Sequence, residues 1–157
     1  MKVQPITDLR DIKNIKRMLV DKPRDKLLFT LGINAGLRVQ DILNLKISDV
    51  RYLNEGERIV ITELKTGKEN VIMINKEIKD NISEYLSTID LNDEHYLFKS
   101  RKGYNSPLST YAITKYVKIW TDMVNLKGNF GAHTLRKTWC YHQRKTFGVS
   151  WELISKR

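Results

Sequence analysis

Three short stretches of this chain combine residue types and spacings that could handle an anion. Gly36-Leu37-Arg38-Val39-Gln40-Asp41 sets an arginine at the start of a helical run, where free backbone N–H groups and the helix dipole also favour negative charge. The plainer alternative is an arginine whose stem lies along apolar surface or whose head pairs with Asp41. Lys65-Thr66-Gly67-Lys68 stands between two apolar, β-branched runs, a hairpin with a basic tip on one reading and an ordinary solvated turn on the other. His133-Thr134-Leu135-Arg136 places two polar side chains three apart, on one helix face near its start. A capping histidine followed by a surface arginine would look the same.

The distribution of charge narrows the partner. The 157 residues carry a formal net charge of +10. From Met1 to Glu94 sixteen basic residues balance sixteen acidic ones, whereas His95 to Arg157 holds twelve against only Asp122 and Glu152. An excess so lopsided creates a field that draws polyanions, and nucleic acid is the leading expectation, ahead of a merely soluble basic surface. A membrane surface fits less well, because the helical patterns show core-like stripes and no separate interfacial segment rich in lysine and tryptophan. The single cysteine, Cys140, excludes an internal disulfide and cannot by itself make a thiolate metal site. Residues 1–11 have no continuous apolar core of the kind a signal peptide needs, so a cytoplasmic protein is expected. The length suits one domain, spanning 1–157.

The elements that must position these residues are mostly helical. Leu9, Ile12, Ile15 and Leu19 keep helical spacing behind a cap at Thr7 or Asp8. Pro23 then punctuates the chain, Leu27 to Ala35 continue as a second helix that Gly36 can end, and Val39 to Leu45 form a short third. Ile59–Leu64 and Val71–Ile74 are the expected strands. Further helices are expected around Ile78–Ile89 and Ile113–Val124, joined by a long connection from Asp90 to Ser109. Another runs from about His133 to Phe147, with Gly148 as cap, and a last one begins at Trp151 behind Ser150. The fold class is therefore mainly α with a small antiparallel sheet.

The order of these features, Gly-Leu-Arg with an acid three residues on, a Lys-Thr-Gly-Lys hairpin, then His-x-x-Arg in a basic C-terminal part, resembles the catalytic domain of the tyrosine recombinases, the phage-integrase family. Asp41-Ile42-Leu43-Asn44-Leu45 and Ser48-Asp49-Val50 also look like that family's segment after its first arginine. The resemblance implies a DNA breaking-rejoining fold and site-specific recombination or integration on double-stranded DNA. A tyrosine hydroxyl would attack a phosphodiester, forming a 3′-phosphotyrosine and releasing a 5′-hydroxyl, with no cofactor and no metal. By the same likeness Arg38 and Arg136 match the two catalytic arginines, Lys65 the hairpin lysine and His133 the histidine of the box. Asp41 is expected to be an acid that orients Arg38 or one of its neighbours. Lys68, Lys137, Arg144 and Lys145 are expected to contact DNA.

The chemistry accounts for the types. With no metal, charge building on the phosphoryl oxygens must be met by side chains, and a guanidinium offers a fixed fork of donors that stays charged. The departing 5′-oxygen needs a proton, which a lysine beside two arginines can supply. Two departures qualify the likeness. The family's tyrosine lies on a helix beyond the His-x-x-Arg helix, and none of the seven tyrosines follows the box at that place, so the expectation is a domain truncated before its nucleophile and inactive in cleavage by itself. The family's separate N-terminal core-binding domain is likewise expected to be absent. The full-length protein would form tetramers on DNA and this piece a monomer. A non-catalytic DNA-binding module and an RNA-binding basic protein are the alternatives.

Overall fold

The structure, a computed structural model, describes residues 2–145 and 147–156. Helix α2, Pro23–Ala35, is its axis. Proline opens it at a position where no N–H is needed, and Leu27, Leu28, Phe29, Thr30, Leu31, Gly32 and Ala35 are all buried, so it is covered over most of its circumference rather than along one stripe. Against it pack α4, Lys76–Ser87, and α6, His133–Lys145. Phe29 meets the Trp120 ring edge-on at 5.7 Å, where Trp120 belongs to α5, Thr110–Met123. Asn81 of α4 donates to the Thr30 hydroxyl at 3.1 Å, satisfying two polar groups inside the core. The apolar cluster runs without a break from Ile6 to Leu135.

The remaining elements follow from local signals. Helix α1, Leu9–Met18, is capped by the Asp8 carboxylate, which accepts from the Arg10 N–H, and it buries Ile12 and Ile15. Gly36 ends α2 at φ 66°, a left-handed conformation that costs glycine nothing. Helix α3 covers Val39–Leu43, two residues shorter than expected, and a 3-10 turn at Ile47–Asp49 follows it. Strands β1, Arg58–Thr62, and β2, Glu69–Met73, pair antiparallel with Arg58 opposite Met73 and Thr62 opposite Glu69. The ladder therefore stops before Glu63 and Leu64, which the expected strand included, and a bond from Glu63 N–H to Lys68 O at 2.8 Å closes the hairpin beyond it.

Ser109 caps α5 and Ser150 caps α7, Trp151–Ser155, each by accepting from a backbone N–H three residues on. Past α6, Gly148 at φ 70° and a bond from Val149 N–H to Gln143 O at 2.7 Å give the glycine stop read from the sequence. Helix α6 ends at Lys145, short of the expected Phe147, which is not helical; Thr146 between them lies outside the described residues.

Candidate active site

Arg38 sits where α2 gives way to α3. Gly36 turns the backbone, Leu37 is buried, and Arg38 is extended (φ −66°, ψ 143°) as the residue before α3 begins. Its side chain remains 29 % exposed while its Nη1 donates to Glu63 Oε1 at 3.0 Å. Glu63 itself is 4 % exposed. Asn70, across the hairpin, donates to the other Glu63 oxygen. The acid that holds Arg38 is thus Glu63, on the hairpin, and not Asp41.

Asp41 does different work. It is 3 % exposed, and its Oδ1 accepts from the Leu64 N–H at 2.8 Å. Its Oδ2 is buried with no hydrogen-bond partner among the described residues. The carboxylate expected to orient Arg38 instead ties α3 to the residue just before Lys65. Two bonds, Arg38–Glu63 and Leu64–Asp41, therefore lash the hairpin to the corner that carries the first arginine. Lys65 stands exposed at the tip beyond them. Lys68 donates to the carbonyl of Lys156, so one of its hydrogens goes to the end of α7.

Arg136 reaches the same corner from 100 residues away: its Nε donates to Gly36 O at 3.2 Å. That bond exists because α6 packs on α2, and the packing is close because position 32 is glycine. A Cβ there would stand 2.6 Å from Leu135 Cδ1. His133, the first residue of α6, is exposed one turn before Arg136. Arg38 and Arg136 are brought to one corner, the Lys65 hairpin is lashed to it, and His133 lies on the helix that delivers Arg136.

The four residues expected on DNA are dispersed. Lys68 is at the hairpin. Lys137 donates to Val3 O at 2.9 Å, engaged with the N-terminal segment. The Arg144 guanidinium lies 5.5 Å from the centre of the Trp151 ring, and Lys145 is exposed at the end of α6. They lie about 12 and about 13.5 Å along the helix from Arg136, at about 1.5 Å per residue. Tyr141 is half-buried and meets the His142 ring edge-on at 5.1 Å. Cys140, one turn past Arg136, has its thiol pushed up by burial, and the arginine's charge pulls it part of the way back. No group of three or more histidines, cysteines or acids able to hold a metal occurs among the described residues.

Sequence reasoning missed Glu63. The signal was present: Ile59 and Ile61 face inward along β1, and Glu63, just past its end, continues that alternation as a buried acid.

A model of the phage integrase family matches residues 7–146, a span that contains Arg38, Lys65, His133 and Arg136 in order. The chain belongs to the phage integrase family. Within it, the chain is 38% identical over 141 residues to a probable integrase/recombinase, YoeC, of Bacillus subtilis, covering 89% of this chain and 74% of that protein. It is 34% identical over 138 residues to the tyrosine recombinase XerA of Pyrococcus horikoshii, covering 88% of this chain but 47% of the relative. The chain thus spans about three quarters of one relative and under half of the other.

Among solved structures, a XerA recombinase superposes with a TM-score of 0.77 at 20% identity, covering 99% of this chain and 56% of that one. A XerH site-specific recombinase bound to its difH substrate gives 0.71 at 22%, covering 99% and 47%. At such identities these likenesses concern the fold, which is that of the phage integrase family's tyrosine recombinases.

Proposed function

We propose that this chain is the catalytic-type domain of a site-specific DNA recombinase, which holds the phosphodiester to be broken in the corner between Arg38 and Arg136. The observation that carries this is the Arg136–Gly36 bond, which anchors the second arginine two residues from the first. Nε is taken by that carbonyl and one Nη of Arg38 by Glu63, so each guanidinium is aimed by one donor and has others for phosphoryl oxygens. Two fixed cations meet charge that grows as the phosphorus becomes five-coordinate, the kind of preorganised stabilisation whose loss costs roughly 10²–10³ in rate per donor.

In the reaction, a tyrosine oxygen forms a bond to phosphorus, the bond from phosphorus to the 5′-oxygen breaks, and that oxygen takes a proton from the Lys65 ammonium. His133, one turn before Arg136, donates to a phosphoryl oxygen or relays the tyrosine's proton. Attack by another strand's 5′-hydroxyl reverses the steps and rejoins the DNA, so no cofactor is consumed. Lys145 and Arg144 extend the positive face along α6. The working assembly is a tetramer on duplex DNA, at the nucleoid. No helix among the described residues is long and apolar enough to cross a membrane.

Duplex binding by this chain tests the reading. Log affinity should fall linearly with log salt, at about 0.9 per phosphate contacted, and RNA of equal length should compete poorly. Cleavage is tested with the protein on a nicked duplex, where a covalent protein–DNA adduct should form and Arg136→Ala should abolish it. Binding without any adduct would make the protein a DNA-binding module that retains the corner without the chemistry. Equal competition by RNA would overturn the duplex reading itself.

A further inference from the structure

Glu63 belongs to none of the residues that the family likeness assigns, yet it is a buried acid that holds the Arg38 guanidinium directly. Its carboxylate is 4 % exposed, accepts from Arg38 Nη1 at 3.0 Å on one oxygen and from Asn70 on the other. An acid this close to a phosphate site is unfavourable for DNA binding by simple charge, since it repels the polyanion and partly neutralises the arginine. Burying it also carries a desolvation cost that only good geometry offsets. The sequence places it at the inward register of β1's continuation, two residues before Lys65, so the same short segment fixes both Arg38 and the lysine.

We propose that Glu63 is a positioning residue: its buried carboxylate, held from behind by Asn70, orients the Arg38 guanidinium toward the DNA phosphate and registers the Lys65 hairpin against it. This deepens the function proposed above and rests on it. Without Glu63 the Arg38 side chain is free to sample several rotamers, and the benefit of a preorganised fork is lost. Asn70 adds the second restraint. By donating to the oxygen that Arg38 does not use, it keeps the carboxylate plane from rotating about its own axis.

The experiment is a set of salt titrations of duplex binding, with folding checked by circular dichroism. Arg38→Ala should weaken binding roughly tenfold or more and lower the salt slope by about one unit. Glu63→Ala should weaken binding and lower the slope by a similar amount, although it removes a negative charge. In the Arg38→Ala background it should cost nothing further, and in the Arg136→Ala background its slope effect should be much reduced, since both arginines serve one phosphate. Glu63→Asp, which keeps the charge and the fold but shortens the reach, should give a slope between wild type and Arg38→Ala; it decides the matter if the alanine variant does not fold.

Unchanged or tighter binding in folded Glu63→Ala, or an unchanged slope in Glu63→Asp, would overturn the positioning role. So would an equal loss from Glu63→Ala whether or not Arg38 is present. If Arg38→Ala itself changes neither affinity nor slope, the proposed function fails first, and that failure is visible independently of Glu63.

Discussion

The Nε of Arg136 donates to the carbonyl oxygen of Gly36 at 3.2 Å, joining residues 100 positions apart at the end of α2. A glycine carbonyl in a left-handed turn accepts a guanidinium, and the residue two further on is the other arginine. The site is built where three separate segments, the α2–α3 corner, the hairpin and the start of α6, are pinned to one another by single polar bonds over a shared apolar base.

That base makes Gly32 a sensitive position. A Cβ would lie 2.6 Å from Leu135 Cδ1 and 2.9 Å from Leu135 Cβ. Inside a helix Gly→Ala ordinarily gains up to about 1 kcal/mol. Here the clash should reverse the sign, and overpacking costs about 1–3 kcal/mol. Thermal unfolding of Gly32→Ala should begin several degrees lower, and duplex affinity should fall with it, because Leu135 is next to Arg136. An unchanged or raised melting temperature would mean that α2 and α6 separate without penalty.

The N-terminal segment is strapped across the back of α6. Ile6 N–H donates to Thr138 Oγ1 at 3.0 Å, the Ile6 carbonyl lies 2.9 Å from His142 Nε2, and Lys137 donates to Val3 O. Thr138→Val keeps the shape and removes the acceptor, leaving a buried N–H unpaired. The expected loss is about 1–3 kcal/mol in urea unfolding. Limited proteolysis should cut the strap of the variant well before the core, and equal cutting in both proteins would contradict the strap's role.

Cys140 offers a probe of the pocket. Burial pushes its thiol above the ordinary range, so alkylation by iodoacetamide should be slower than for an exposed cysteine and should accelerate as pH rises. Arg136 opposes that shift, so Arg136→Ala should slow labelling further at fixed pH. Duplex DNA, which under the proposed function neutralises Arg136, should do the same. Faster labelling in either case would place the arginine's charge elsewhere.

Much of this was legible in the amino-acid order. The caps at Asp8 and Ser150 and the glycine stops at 36 and 148 are local signals, set by a side chain bonding the N–H groups of the next turn or by a positive φ, and they stand where the sequence puts them. The pairing of Arg38 was not legible. Asp41 is the near acid in sequence, but the extended backbone at residue 38 and the fold of the hairpin bring Glu63 in from 25 positions away. Treating Ile59–Leu64 as one apolar run hid an acid at its inward register. The strap from Ile6 to Thr138 spans 132 positions and has no local signature at all. Nor does composition reveal that Lys137, on the basic helix, is directed to Val3 O.

The convergence of Arg38 and Arg136 on one phosphate is tested most directly by the salt dependence of duplex binding for the two single alanine variants and the double. Each single variant should lower the slope of log affinity against log salt by about one unit, and the double should lower it by about one unit as well, because the shared phosphate is held only when both arginines are present. A double variant that loses about two units would show the arginines serving separate phosphates, and singles with the wild-type slope would show that neither grips the DNA.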